Sequence, residues 1–171
     1  MLKQIKYLPV AILVLLISCK NTSDKQSTHL ANVGIIPKDE SVDDSNFQPC
    51  HEDYSLFYYQ VDNSDHLYKG EKPAIVKTFD DIKLPAIDQN DGYVTIRFLV
   101  NCKGETGRFR VEQVDFEYKD KEFEGELVTQ LLEKTKQLDG WWPATREGYK
   151  CDYYKYLTFK IINNQTVDIL P

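Results

Sequence analysis

Gly92-Tyr93-Val94-Thr95-Ile96-Arg97-Phe98-Leu99-Val100-Asn101 is the stretch that decides the fold. Val94, Ile96, Phe98 and Val100 alternate with Tyr93, Thr95, Arg97 and Leu99. An extended chain turns successive side chains to opposite faces, so one face here is wholly apolar and the other mixed, which predicts a central strand over 92–100. Beyond it, Lys103-Gly104-Glu105-Thr106-Gly107 offers two glycines for a hairpin turn, and Phe109 and Val111 alternate with Arg108, Arg110 and Glu112. This gives a hairpin partner over 108–117. The apolar phase then slips to Val114 and Phe116, which predicts a β-bulge near Gln113, since one extra residue exchanges the faces. Over 121–138 the spacing becomes helical: Phe123, Leu127, Leu131 and Leu138 form a stripe, Val128 and Leu132 flank it, and Glu124, Glu126, Glu133, Lys134 and Lys136 lie opposite. Asp139-Gly140 stops that helix and Pro143 prevents its resumption.

A third strand over 152–162 sets Tyr153, Leu157, Phe159 and Ile161 against Tyr154, Tyr156 and Lys160. Asn163-Asn164 reads as a turn, and Thr166 to Leu170 as a short last strand. On the N-terminal side, Tyr54 to Val61 is rich in aromatic and β-favouring residues and reads as an extra strand. Pro73 opens a short helix with apolar residues at 75, 76, 79 and 82, closed by Leu84-Pro85. The expected class is α+β, a small antiparallel sheet packed on one main helix with an extra N-terminal strand and a short helix.

The N-terminus is of another kind. Lys3 and Lys6 precede an apolar run, Tyr7 to Ile17, that ends at Ser18 and Cys19. A run of about a dozen residues is too short for a bilayer core that takes roughly 20 helical residues, so it reads as a secretory signal. Leu16-Ile17-Ser18-Cys19 resembles the lipobox of bacterial lipoproteins, which implies lipidation at Cys19 after removal of residues 1–18. Residues 19–47 are polar and acidic, without period apart from a small apolar island at Val33-Gly34-Ile35-Ile36-Pro37, and read as a disordered tether ahead of a domain over 48–171. A flexible coil of that length spans roughly 30 Å on average.

Without residues 1–18 the 21 basic residues become 19, against 27 acidic, a balance of −8. An acidic protein is repelled by nucleic acid and by anionic membrane surfaces, so the membrane is expected to hold it through the lipid. The histidines are His29, His51 and His66, and none has a serine or cysteine partner in a recognisable nucleophile turn. Cys50-His51-Glu52-Asp53 offers ligand types without zinc-like spacing. The reading is therefore non-catalytic, with no cofactor and no metal. Beyond Cys19, the cysteines Cys50, Cys102 and Cys151 leave one thiol over if two of them pair.

Gly92, Val94, Phe98, Val100, Asn101 and Gly104, then a helix, then Trp141-Trp142-Pro143-Ala144 with Gly148, then Leu157 and Phe159, resemble the C-terminal domain of TonB-like proteins. The resemblance begins at Tyr68-Lys69-Gly70-Glu71-Lys72-Pro73-Ala74 and covers about residues 68–162. It implies two or three antiparallel strands packed on a helix, and binding of a short peptide, such as one from an outer-membrane transporter, as a strand added to an edge. Carried onto this chain, it implies the third strand as that edge, with Tyr154, Lys155 and Tyr156 as peptide-binding candidates; the segment 166–170 competes for the same edge. It also sets the end of the first strand beside the start of the third, and so implies a Cys102–Cys151 disulfide. The chain departs from an energy transducer in having a lipobox where the membrane helix would stand and a tether that is not proline-rich, so force transmission is not carried over. The expected role is a lipid-anchored envelope module that binds proteins or peptides, or alternatively one that packs into an envelope complex. Replacing Cys19 by Ala is expected to move the protein from the membrane to the soluble fraction, which fractionation reads directly.

Overall fold

The computed structural model describes residues 34 to 170; residues 1–33, with Cys19 and the expected signal, and Pro171 lie outside the described residues. The fold is mixed α and β, with six strands and two helices. In chain order these are β1 (Ser55–Phe57), a 3₁₀ turn (Tyr58–Gln60), α1 (Glu71–Phe79), β2 (Gly92–Val100), β3 (Thr106–Val114), α2 (Leu127–Lys136), β4 (Ala144–Arg146), β5 (Tyr149–Ile162) and β6 (Gln165–Leu170). The sheet runs β1-β5-β2-β3, and β4 and β6 also pair with β5. All pairings are antiparallel except β1 with β5, which is parallel and so departs from the expected all-antiparallel sheet. No helix among the described residues is long and apolar enough to cross a membrane.

β2 is the central strand that its alternation predicts. Val94, Ile96, Phe98 and Val100 are wholly buried and join Tyr153, Leu157, Phe159 and Ile161 of β5 in one core. The helices cover this face: α1 buries Ile75 and Phe79, and α2 buries Leu127, Leu131 and Thr135. Phe79 meets Phe159 edge-on, with ring centroids 4.8 Å apart. The main helix is shorter than the leucine stripe predicts, because residues 121–126 spend their backbone elsewhere. Phe123 N donates to Gln113 Oε1 (3.0 Å), Glu124 N donates to Asn90 Oδ1 (3.1 Å), and Gly125 adopts a left-handed φ of 77°. Phe123 is still buried in the core, which explains its place in the stripe.

The expected bulge near Gln113 is absent. Val114 lies opposite Tyr93 on the outer face, beside the ring cluster of Tyr93, Phe116 and Tyr118, so its apolar character needs no slip in phase. The irregularity lies at the other end of the hairpin, where β3 carries one residue more than β2 between Arg97 and Leu99, and Arg108 has a φ of 55°. The Asn163-Asn164 turn is as expected, both residues having positive φ (49° and 65°), and β6 returns along β5 from it.

The outer face of the sheet is not left to solvent. Residues 34–47, read from the sequence as tether, cross it as a strap. Ile36 is buried against Leu99 and Tyr154, with Phe47 and Phe57 packed alongside. Two arginines, Arg97 on β2 and Arg110 on β3, hold the strap, and a third, Arg108, holds the chain just past it. Arg97 donates to the Gly34 carbonyl (2.5 Å) and pairs with Glu112 (2.8 Å), and Arg110 donates to the Pro37 carbonyl (2.9 Å) and pairs with Asp43 (2.6 Å). Arg108 forks onto Glu52 at 2.6 and 2.7 Å. The Arg110 guanidinium, through its hydrogen bond to Asp43, holds that carboxyl below the usual range.

The strap ends in a disulfide, and it is Cys50–Cys102, not Cys102–Cys151. The end of β2 does lie beside the start of β5, as the resemblance implies, but strand alternation decides the partner. Asp152 occupies the face that meets Cys102, its carboxylate accepting from Cys102 N (2.7 Å) and His51 N (2.8 Å). Cys151 turns to the opposite face and is a buried free thiol in the core. The Cys50–Cys102 bond spans 52 residues, and replacing both cysteines by Ala is expected to lower the unfolding free energy by ~4 kcal/mol in a urea titration. Alkylation is expected to reach Cys151 only after denaturation, and to reach Cys50 and Cys102 only after denaturation with reductant.

Candidate functional site

The three candidate residues of the third strand do not form one surface. Tyr154 lies under the strap against Ile36 and Leu99 and is only 7% exposed, so it cannot serve as an outer platform. Tyr156 stays on the outer face, where its ring meets Tyr58 edge-on at 5.6 Å. A hydrogen bond with Tyr58, and then burial, push its hydroxyl up to about 12. Lys155 falls on the opposite, helix-covered face, directly across from Phe98 of β2.

Nor is the outer edge of β5 an open one. β4 pairs with Tyr149–Cys151, β1 with Asp152–Tyr154, and β6 with Thr158–Ile162. Among the described residues only Lys155, Tyr156 and Leu157 lack a strand on that side. The chain leaving β1 turns away there as the 3₁₀ turn, and its rings form an aromatic cluster: Phe57 stacks on Tyr59 at 5.5 Å, and Tyr58 meets Tyr59 edge-on at 5.5 Å. Tyr59 and Tyr54 are 62% and 59% exposed, so this corner presents aromatic surface outward.

On the helix side of the same break is a cleft of about 110 Å³. Leu67, Tyr68, Ile75, Trp141, Leu157 and Ile169 give it apolar walls, Lys155 lines it, and Asp65, Glu71 and Lys72 contribute polar groups. The Lys155 ammonium sits 4.0 Å from the Tyr58 ring centroid, a cation–π contact, and no carboxylate is in ion-pair reach of it among the described residues. Burial pushes its pKa down to about 8. Trp141 is nearly fully buried, and its indole N–H has no acceptor among the described residues. The site thus holds one buried donor without an acceptor, the indole N–H, beside a half-buried ammonium that no carboxylate pairs. Period-two alternation places residue 155 between Tyr153 and Leu157 on the core face, so a signal for this lysine was present in the sequence.

Two other features have less to offer chemically. Cys50, Cys102 and Asp152 bring ligand atoms within 4.8 Å of one another, but the two sulfurs are bonded together. A cavity of about 420 Å³ is lined by His51, Tyr54, Tyr149 and Cys151, yet burial, and then the neighbouring Asp152 carboxylate, raise the Cys151 pKa and keep it a thiol, not a nucleophilic thiolate. No family model, curated protein or solved structure matches the chain.

The depressed Lys155 pKa has a measurable sign. Between about pH 8 and 10.5 the unfolded chain keeps a proton that folded Lys155 has released, so this residue's contribution to stability rises with pH across that window. Lys155→Met, which keeps the apolar stem, is expected to exceed the parent in stability by roughly 1 to 2 kcal/mol at pH 7. That advantage should shrink as denaturant titrations are repeated toward pH 10.

Proposed function

We propose that this chain is a lipid-anchored module of the bacterial cell envelope, held through Cys19 and facing the periplasm, whose α+β domain binds a protein or peptide and performs no chemistry. The observation that carries the binding reading is the break in the outer edge of β5 at Lys155–Leu157, flanked by exposed aromatics on one side and a donor-lined cleft on the other. Backbone groups of an interrupted edge can be completed by a short extended segment, and exposed tyrosines supply rigid contact area at low entropic cost. The TonB-like resemblance supports the same mode, with outer-membrane transporters among the candidate partners, though the contact is limited to about three residues of edge. The Cys50–Cys102 disulfide suits a compartment where thiols are oxidised.

A second reading, a structural or assembly lipoprotein, draws on the occupation of the rest of that edge by β1, β4 and β6. A photoreactive phenylalanine analogue at Tyr59 separates both readings from no interaction at all, with the same analogue at Lys136 on α2 as control. The binding reading expects discrete adducts from position 59 that a competing peptide removes, and the assembly reading expects adducts that no peptide displaces. Identical adducts from both positions, or none from position 59, would overturn the proposal.

A further inference from the structure

We propose that the cleft beside the β5 break receives the C-terminal end of a peptide, its free carboxylate on the Lys155 ammonium and its last, apolar side chain against Leu67, Ile75, Trp141 and Leu157. The inference rests on the peptide-binding reading and names the ligand's chemistry. The half-buried Lys155 ammonium lies at the cleft against the Tyr58 ring with no carboxylate paired to it among the described residues, and its partial loss of water favours an anionic partner. Lys155 can only donate, and so can the Trp141 indole N–H, which has no acceptor among the described residues. A group made only of acceptors suits both, and a carboxylate is such a group.

The polar groups at the cleft do not fill this need from within. Glu71 is held by His66 at 3.0 Å, Lys72 stands 3.8 Å from Asp168, and Asp65 is exposed, where solvent screens its repulsion of an incoming anion. The volume of about 110 Å³ suits one aliphatic side chain, not a long acyl tail. The chain end also follows from the geometry of the edge. β1 pairs up to Tyr154 and β6 begins pairing at Thr158, so an added segment has three residues of edge before it meets a strand of the domain. A peptide that terminates there meets a strand at one end of the break only.

The test uses the full-length chain with isotope-labelled lysine and an N-acetylated tripeptide ending in Thr-Val-Leu, titrated as the free acid and as the C-terminal amide. The acid is expected to bind about tenfold to a hundredfold more tightly than the amide, to raise the Lys155 pKa on binding, and to shift the amide resonance of Lys155. Lys155→Arg is expected to retain the preference for the acid and Lys155→Met to lose it; should the Met variant not fold, the acid and amide comparison on the parent chain decides alone. Equal binding of acid and amide overturns the carboxylate assignment while leaving the Tyr59 adducts, and so the module reading, intact. A Lys155 pKa that falls when the chain is extended past Pro171 by Gly-Ser-Gly also overturns it, since the carboxylate would then be the chain's own.

Discussion

The ladder between β2 and β5 is the constraint from which the rest of the domain follows. It runs unbroken from Gly92 opposite Ile161 to Val100 opposite Tyr153, joining segments about sixty residues apart in the chain. Pairing two long strands fixes which side chains share a face, and here it gathers an apolar set on one side that α1 and α2 must cover. β1, β4 and β6 are short, and each pairs only with β5. They are therefore additions to an existing ladder, not independent sources of stability.

The opposite face shows how a mixed surface can be buried without an apolar match. Arg97, Arg108 and Arg110 are too costly to enclose unpaired; the strap supplies carbonyls from Gly34 and Pro37 and the Asp43 carboxylate, and Glu52, just past the disulfide, supplies the carboxylate for Arg108. Ile36 and Phe47 then add the apolar contact, the latter only because Gly107 has no side chain: a Cβ there would lie 2.2 Å from the Phe47 ring. A segment held mainly by its own carbonyls carries no periodic signature. For that reason residues 34–47 read as tether in the sequence although they are part of the domain.

What was legible in the sequence was whatever a single element encodes alone. The alternation of β2 and β5, the leucines of α2 and the Asn163-Asn164 turn are local patterns, and each has its counterpart in the fold. The disulfide depended on the relative face of residues on two strands. Proximity of Cys102 to the start of β5 was inferred rightly, but a one-residue difference in parity gives the facing position to Asp152. The α2 start failed for a similar reason, since the side chains of Gln113 and Asn90, remote in sequence, claim the backbone of Phe123 and Glu124. Lys155 is the instructive case among candidate site residues. Grouping it with the neighbouring tyrosines followed chain order, whereas a strand separates adjacent residues onto opposite faces.

The position of Cys50 also determines how the domain would bear load. A pull on the chain from the N-terminal side first works against the Arg97 and Arg110 contacts to Gly34, Pro37 and Asp43, and beyond them it reaches the covalent bond to Cys102 at the end of β2. Tension therefore enters the sheet through its middle strand, while β1, the short parallel strand that would otherwise be peeled off first, lies outside the line of force. The crosslink acts as a mechanical shunt, and its reduction would turn a domain that resists shearing as a whole into one that unzips from its edge.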